Sequence, residues 1–271
     1  MGFPKEHRDR LITGVIGLAV IFLVVGYNSK PIFFVFMLLL NLFALNEFYA
    51  LVSISKISRL LGTIAGIILS GGFFYLEEPV LFAGIAGAGF SFCLYKIVTF
   101  KSQENHYSDL TKHFIGIFVI VFLISHLIWL RGLYQGRLLF FFLLTMVYSG
   151  DTFAFYGGTL LGKHKLAPQI SPGKTQEGAI FGLIGSVLGG LVFAFFFFPK
   201  TSIMVIIFLA GIAGILGQLG DLWESALKRE AKVKDSGNFL PGHGGVLDRL
   251  DSLFFSAPFL YYAVAFQEKL L

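Results

Sequence analysis

One cysteine, Cys93, stands in 271 residues, so no intramolecular disulfide is available and a bridged secreted scaffold is excluded. Cys93 lies in an apolar stretch and reads as a small core residue. Charge is also scarce: Asp, Glu, Lys and Arg make up 14% of the chain, against about 25% in soluble domains. Hydrophobic residues reach 56% and the mean hydropathy is +0.79, which excludes a disordered chain. With 33 Phe beside 21 Lys and Arg and 16 Asp and Glu, a water-facing surface could not be polar enough. The composition is that of an all-α polytopic membrane protein.

A helix needs about 20 apolar residues to cross the hydrocarbon core, and it satisfies its own backbone polar groups, as lipid demands. The hydropathy pattern predicts about nine spans. They are Leu11–Tyr27, Pro31–Ser53, Leu60–Leu76, Val80–Phe100, Phe114–Leu130, Leu138–Leu161, Ala179–Phe198, Ile203–Leu222 and Ser252–Phe266. Basic residues precede the first, but no small-residue cleavage site follows it, so it is expected to be a retained span. Nine spans divide the loops into two sets, one holding 16 of the Lys and Arg residues and the other 5. The positive-inside rule then puts the N-terminus and the two long late loops in the cytoplasm of an inner-membrane protein. Residues 1–136 are expected to form a five-span bundle and residues 137–271 a four-span catalytic region with cytoplasmic loops 162–178 and 223–251. No repeat of fixed period is present.

Polar residues are few before residue 148: Asn41, Asn46, Glu47, Ser125 and His126 within spans. After it they gather into two blocks. The first begins inside span six at Tyr148-Ser-Gly-Asp151. A carboxylate at that depth costs about 3 kcal/mol on insertion scales, so a cation, a basic partner or a water-filled cavity must compensate it. A neighbouring helix could also satisfy it. Downstream, Ser171-Pro172-Gly173-Lys174-Thr175 forms a turn just before span seven. Basic and hydroxyl groups at a helix N-terminus commonly hold phosphate.

The second block is denser. Span eight carries Gly211, Gly214, Gly217 and Gly220, then Asp221. That spacing permits close approach of a helix, a ligand or a second copy of the chain. In the loop that follows, Lys228 and Lys232 would share a helical face with Arg229 beside them, a cluster that suits a polyphosphate. Lys234 follows them. The turn Pro241-Gly242-His243-Gly244-Gly245 frees N–H groups to converge on an anion. His243 reads equally as a phosphate donor, a general acid or a structural turn residue. Asp248 and Asp251, at i and i+3, would share a helical face near Asp221. Three carboxylates beside a phosphate would repel it unless a divalent cation lay between, and oxygen ligands of this kind suit Mg²⁺. A second metal or a monovalent cation would be compatible with the same cluster.

The run from Ser225 to Asp251 resembles the signature of the phosphatidate cytidylyltransferases: Ser, Lys-Arg, Lys-Asp, Pro-x-His-Gly-Gly, then Asp-Arg-x-Asp, each at the expected spacing. The first block is similar to the family's Gly-Asp-x-x-Ala stretch and its Ser-Pro-x-Lys-Thr-x-Glu-Gly loop. The N-terminal half resembles it in hydrophobic character and in Asn46-Glu47-Phe48. The resemblance implies cytidylyl transfer from CTP to phosphatidate in the bilayer, giving CDP-diacylglycerol and pyrophosphate, with Mg²⁺ required. It assigns catalytic roles to Asp221, Asp248, Lys228, Arg229 and His243, and metal ligation to Asp221, Asp248 and Asp251. Contacts to substrate phosphates would fall on Asp151, Ser171, Lys174, Thr175, Lys232, Lys234, Gly242, Gly244, Gly245 and Arg249. A homodimer is permitted, and no nucleic-acid partner is expected. The rival readings are a CTP-dependent polyprenol or phytol kinase and an ion-coupled transporter.

Overall fold

The computed structural model describes residues 5–27, 29–54, 56–78, 80–82, 85, 106–240, 242 and 244–266. The first helices are α1 (Lys5–Gly26), α2 (Lys30–Leu51) and α3 (Lys56–Tyr75). Helix α4 (His106–Ile115) continues through a π-helical stretch, Gly116–Phe122, into α5 (Leu123–Gly132). Helix α6 (Gly136–Leu161) leads to an antiparallel hairpin of β1 (Lys165–Ala167) and β2 (Ser171–Thr175). Then come α7 (Gln176–Phe197), α8 (Ile203–Glu230), the one-turn α9 (Leu247–Leu250), a 3-10 turn (Asp251–Leu253) and α10 (Ser256–Ala265).

Among the described residues, six helical segments are long and apolar enough to cross a membrane: Lys30–Leu51, Lys56–Tyr75, Thr111–Gly132, Gly136–Leu161, Gln176–Phe197 and Ile203–Glu230. Ile12–Gly26 is a shorter apolar helix. Residues 86–100 of the fourth expected span lie outside the described residues. The ninth expected span departs from its reading. It is a 3-10 turn followed by a ten-residue helix, Ser256–Ala265, which rises only about 15 Å, half of the hydrocarbon thickness.

Two other boundaries move. The loop expected over 223–251 begins later, because α8 runs on to Glu230. At 28 residues α8 is about 42 Å long, longer than a hydrocarbon core of about 30 Å. The 162–178 loop is largely hairpin, and Thr175 caps α7, its hydroxyl accepting from the Gly178 N–H at 3.1 Å. A cap of this kind is worth about 1 kcal/mol.

A buried polar link joins three of the N-terminal helices. The Asn41 Nδ2 on α2 donates to Ser70 Oγ on α3 (3.1 Å) and to Ser125 Oγ on α5 (2.9 Å). Around it Phe73 packs on Trp129 at 4.2 Å between ring centroids. The α6–α7 seam is built differently, from small residues that let two backbones approach. A Cβ added at Gly185 would stand 2.5 Å from Phe153 Cβ and 2.9 Å from the Ser149 carbonyl oxygen. The span-eight glycines serve the same purpose within the chain. Gly214 faces Ser186 on α7, Gly217 lies 3.3 Å from the Ser252 carbonyl by the same measure, and Gly220 abuts the Asp251 carbonyl. This intramolecular use removes the stripe as support for a dimer.

Overpacking a closed seam costs about 1–3 kcal/mol. Gly185→Ala is therefore expected to lower the thermal midpoint of the detergent-solubilised protein by several degrees. Gly71→Ala, with no atom within 4 Å of the added methyl, should leave the midpoint unchanged or slightly raised. Equal midpoints for the two variants would refute the close-packed seam.

Candidate active site

A cavity of about 1290 Å³ opens where α1, α2, α6, the hairpin, α8 and α9 meet. Its walls are of two kinds. One end is charged, lined by Asp151, Lys174, Asp221, Lys228, Asp248, Arg249 and Asp251, with Ser171 and Thr175 beside them. The other is apolar, lined by Ile16 and Val20 of α1, Phe36, Leu40 and Phe43 of α2, and Phe155 of α6. Phe155 and Val20 are exposed on the outside of the helices.

Asp248 is the most constrained acid of the charged end, only 7% exposed. Its Oδ1 accepts from Lys228 Nζ at 2.6 Å. Its Oδ2 accepts from the Ser236 N–H (3.0 Å), the Ser236 hydroxyl (2.9 Å) and the Gly245 N–H (2.7 Å). Burial pushes this carboxyl up, but its neighbours Glu224 and Lys228 and the Gly245 N–H outweigh burial and bring it down to about 2. Lys228 also lies 2.5 Å from Oε2 of the fully buried Glu224, an ion pair out of hydrogen-bond alignment, since neither Glu224 oxygen has a hydrogen-bond partner. One ammonium thus bridges two acids.

The other carboxylates group differently from their order in the chain. Gly220 has no side chain, so the Asp251 backbone lies directly against α8 beside Asp221. Asp251 accepts from the Ser252 N–H at 2.7 Å, and the Ser252 hydroxyl lies 3.5 Å from Asp151 Oδ2 on α6. Burial raises the Asp251 carboxyl to about 7, and the nearby Asp221 and Asp151 add to this against the Ser252 N–H and Arg249. Lys174 Nζ pairs with Asp221 Oδ2 at 2.6 Å. Asp248 therefore faces Glu224 and Lys228, while Asp221 and Asp251 face Asp151, a grouping the i, i+3 spacing did not foretell.

The donor chemistry of Asp151, Asp221 and Asp251 fits a hard divalent cation. Of these three acids, Asp221 alone has a direct cationic partner among the described residues, Lys174. Among the described residues, no three acidic, His or Cys side chains converge closely enough to enclose an ion unaided. That suits a cation completed by substrate phosphates, as Mg²⁺ commonly is.

Several expected phosphate ligands stand elsewhere. Arg229 donates from Nε to the Ile170 carbonyl (3.1 Å) and from a terminal nitrogen to the Val233 carbonyl (3.2 Å), pinning the hairpin to the end of α8. Lys232 does not continue the helix. It sits at φ +57°, with its N–H on the Arg229 carbonyl and the Val233 N–H on the Lys228 carbonyl. This is a Schellman stop with lysine in the place that glycine usually takes. Lys234 is exposed on the loop outside the cavity lining.

The 242–245 turn has Gly242 at φ +74° and Gly244 at φ +77°, and its Gly245 N–H binds a protein carboxylate, Asp248, rather than facing the cavity. His243 lies outside the described residues. The residue reading gave no role to Glu224 or Ser236. Glu224 could have been read four residues before Lys228 on one helical face, whereas Ser236 carries no local signal.

A family model described as the cytidylyltransferase family matches residues 8–267. The phosphatidate cytidylyltransferase of Bacillus subtilis is 32% identical over 272 residues, covering 96% of this chain and 98% of that protein. The phosphatidate cytidylyltransferase of Staphylococcus epidermidis is 33% identical over 262 residues, covering 93% and 97%. A Haemophilus influenzae protein of the same name is 42% identical over 137 residues, 48% of this chain and 46% of its own. Together with the apolar helices, these matches describe a multi-pass membrane protein. With its match running almost end to end, the chain belongs to the cytidylyltransferase family.

Proposed function

We propose that this protein transfers the cytidylyl group of CTP to phosphatidate, giving CDP-diacylglycerol and pyrophosphate for phospholipid synthesis. The observation that carries the reading is the single cavity joining a charged end to an apolar wall between helices. A lipid phosphate with acyl chains needs both at once, and CTP needs only the charged end. The relatives named for this reaction support it along nearly the whole chain.

The nucleophile is a phosphate monoester with a second pKa of roughly 6, already mostly a dianion at neutral pH. No general base is needed. The difficulty is bringing one polyanion against another in line with the α-phosphorus. Lys174, Lys228 and Arg249 line the cavity where both phosphates would meet. Glu224 and Asp248 hold the Lys228 ammonium in place. Asp151, Asp221 and Asp251 would hold Mg²⁺ through their oxygens, with Asp248 holding Lys228 rather than the ion. That ion would supply neutralisation of the phosphate charge and of departing pyrophosphate. Ser171 and Thr175 stand beside Lys174 at the hairpin end of the cavity.

The site is read as cytoplasmic, in an inner membrane. The skewed Lys and Arg distribution supports this. A division near residue 136 agrees with that charge partition, which rests on the eight expected spans before α10 for every Lys and Arg except Lys269.

Purified protein given phosphatidate, Mg²⁺ and CTP should pass label from the α-phosphorus into lipid and release pyrophosphate. Transfer from the γ-phosphorus alone would make the protein a lipid kinase and overturn the reaction. Asp248→Asn keeps an acceptor for Ser236 and Gly245 but loses the charge opposite Lys228. Its kcat should fall by more than about a hundredfold, with the thermal midpoint close to that of the parent. Near-normal turnover at saturating Mg²⁺ would remove Asp248 from the mechanism.

A further inference from the structure

The geometry points to Glu47, on the N-terminal helix α2, as a positioning residue that sets Asp248 from across the molecule. Its carboxylate accepts from the Val246 N–H at 3.1 Å and the Leu247 N–H at 2.8 Å. These are N–H groups at the start of α9, which a one-turn helix leaves without internal partners. The Ser236 hydroxyl lies 3.2 Å from Glu47 Oε2 and 2.9 Å from Asp248 Oδ2. It has one proton, so it donates to one carboxylate at a time and ties the two acids into one network. The fit around Glu47 is close. A Cβ at Gly237 would stand 2.5 Å from Glu47 Oε1, and one at Gly245 would collide with Glu47 Oε2. Those two positions are small because this carboxylate enters between them.

Helix α2 is itself held in register. Arg59 on α3 donates to the Asn46 side chain at 2.7 Å and to the Asn46 carbonyl at 2.9 Å. One turn earlier, Phe43 packs on Phe239 of the same loop at 4.4 Å between ring centroids. The N-terminal bundle thus reaches the charged end of the cavity through one face of α2, with Glu47 the polar contact and Phe43 the apolar one. Without the Glu47 carboxylate, the Val246 and Leu247 N–H groups lose their external acceptors, and Asp248 follows directly in the chain. A misplacement of about 1 Å in a reacting group can cost about a hundredfold in rate.

This inference rests on the reading of Asp248 as part of the reacting site, so Asp248→Asn is assayed alongside. Glu47→Gln preserves volume and one acceptor while removing charge and the second acceptor. It is expected to lower kcat about tenfold or more, with the phosphatidate KM within about twofold. Hydrogen–deuterium exchange in the peptide covering 244–250 should speed up about tenfold, while peptides of α6 and α7 stay unchanged. An inactive Asp248→Asn beside a Glu47→Gln with parental kcat and exchange would overturn the positioning role. So would a fall in kcat with no local change in exchange, or with exchange raised equally in α6 and α7, as a general loss of packing would produce. An active Asp248→Asn would instead overturn the reading of the site. Should Glu47→Gln fail to fold, Ser236→Ala removes the shared hydroxyl and is judged by the same two measurements.

Discussion

The Asp248 carboxylate binds four donors from three separate pieces of chain: Lys228 at the end of α8, Ser236 in the following loop and Gly245 at the turn before α9. Taking a carboxylate out of water costs several kcal/mol unless its lone pairs are satisfied and a cation stands near. Here both conditions are met, and meeting them fixes the loop. The end of α8, the irregular stretch to residue 240 and the start of α9 are positioned relative to one another chiefly through this group. What the loop offers a substrate therefore depends on an interaction made inside the protein.

The same logic separates two acidic clusters that lie close together. Glu224 and Asp248 share the one Lys228 ammonium, and Asp248 is further satisfied by the Ser236 N–H and hydroxyl and the Gly245 N–H. Of Asp151, Asp221 and Asp251, only Asp221 has a direct cationic partner among the described residues, Lys174. An acid whose lone pairs are filled by the chain holds its loop in place, and a group of acids with few such donors suits a cation from outside. The apolar wall beside them explains why such chemistry sits at a membrane: acyl chains need no extraction when the charged end lies at headgroup depth. Close packing makes this possible, because Gly220 lets the Asp251 backbone touch α8 where any larger residue would hold it away.

Much of the site was legible along the chain. The lysines and aspartates of 221–251 announce a polyanion site, and Lys174-Thr175 before α7 lies where expected, with Thr175 spent on capping the helix. The readings that failed assumed regular helix where none exists. Lys232 was placed on a helical face with Lys228, but the chain turns left-handed there and its side chain leaves the cluster. Asp248 and Asp251 were paired by their i, i+3 spacing. One turn of α9 followed by a 3-10 turn sends their carboxylates to different neighbours. The glycines of 242–245 were read as an anion nest, yet the anion that the Gly245 N–H binds is the protein's own.

By itself the sequence determined that the chain belongs in lipid, since its apolar runs and scarce charge admit no other solvent. It also determined where the charged residues crowd, and the kind of ligand that such residue types suit. Only the tertiary structure decided which acid faces which cation and which are left to one another. It also brought Glu47 to a turn about 200 residues away in the chain. The reason is physical. Chain spacing reports neighbours along a helix, whereas Coulomb energy and hydrogen bonding depend on distance and burial in space. At this site both are set by how α2, α6 and α8 pack.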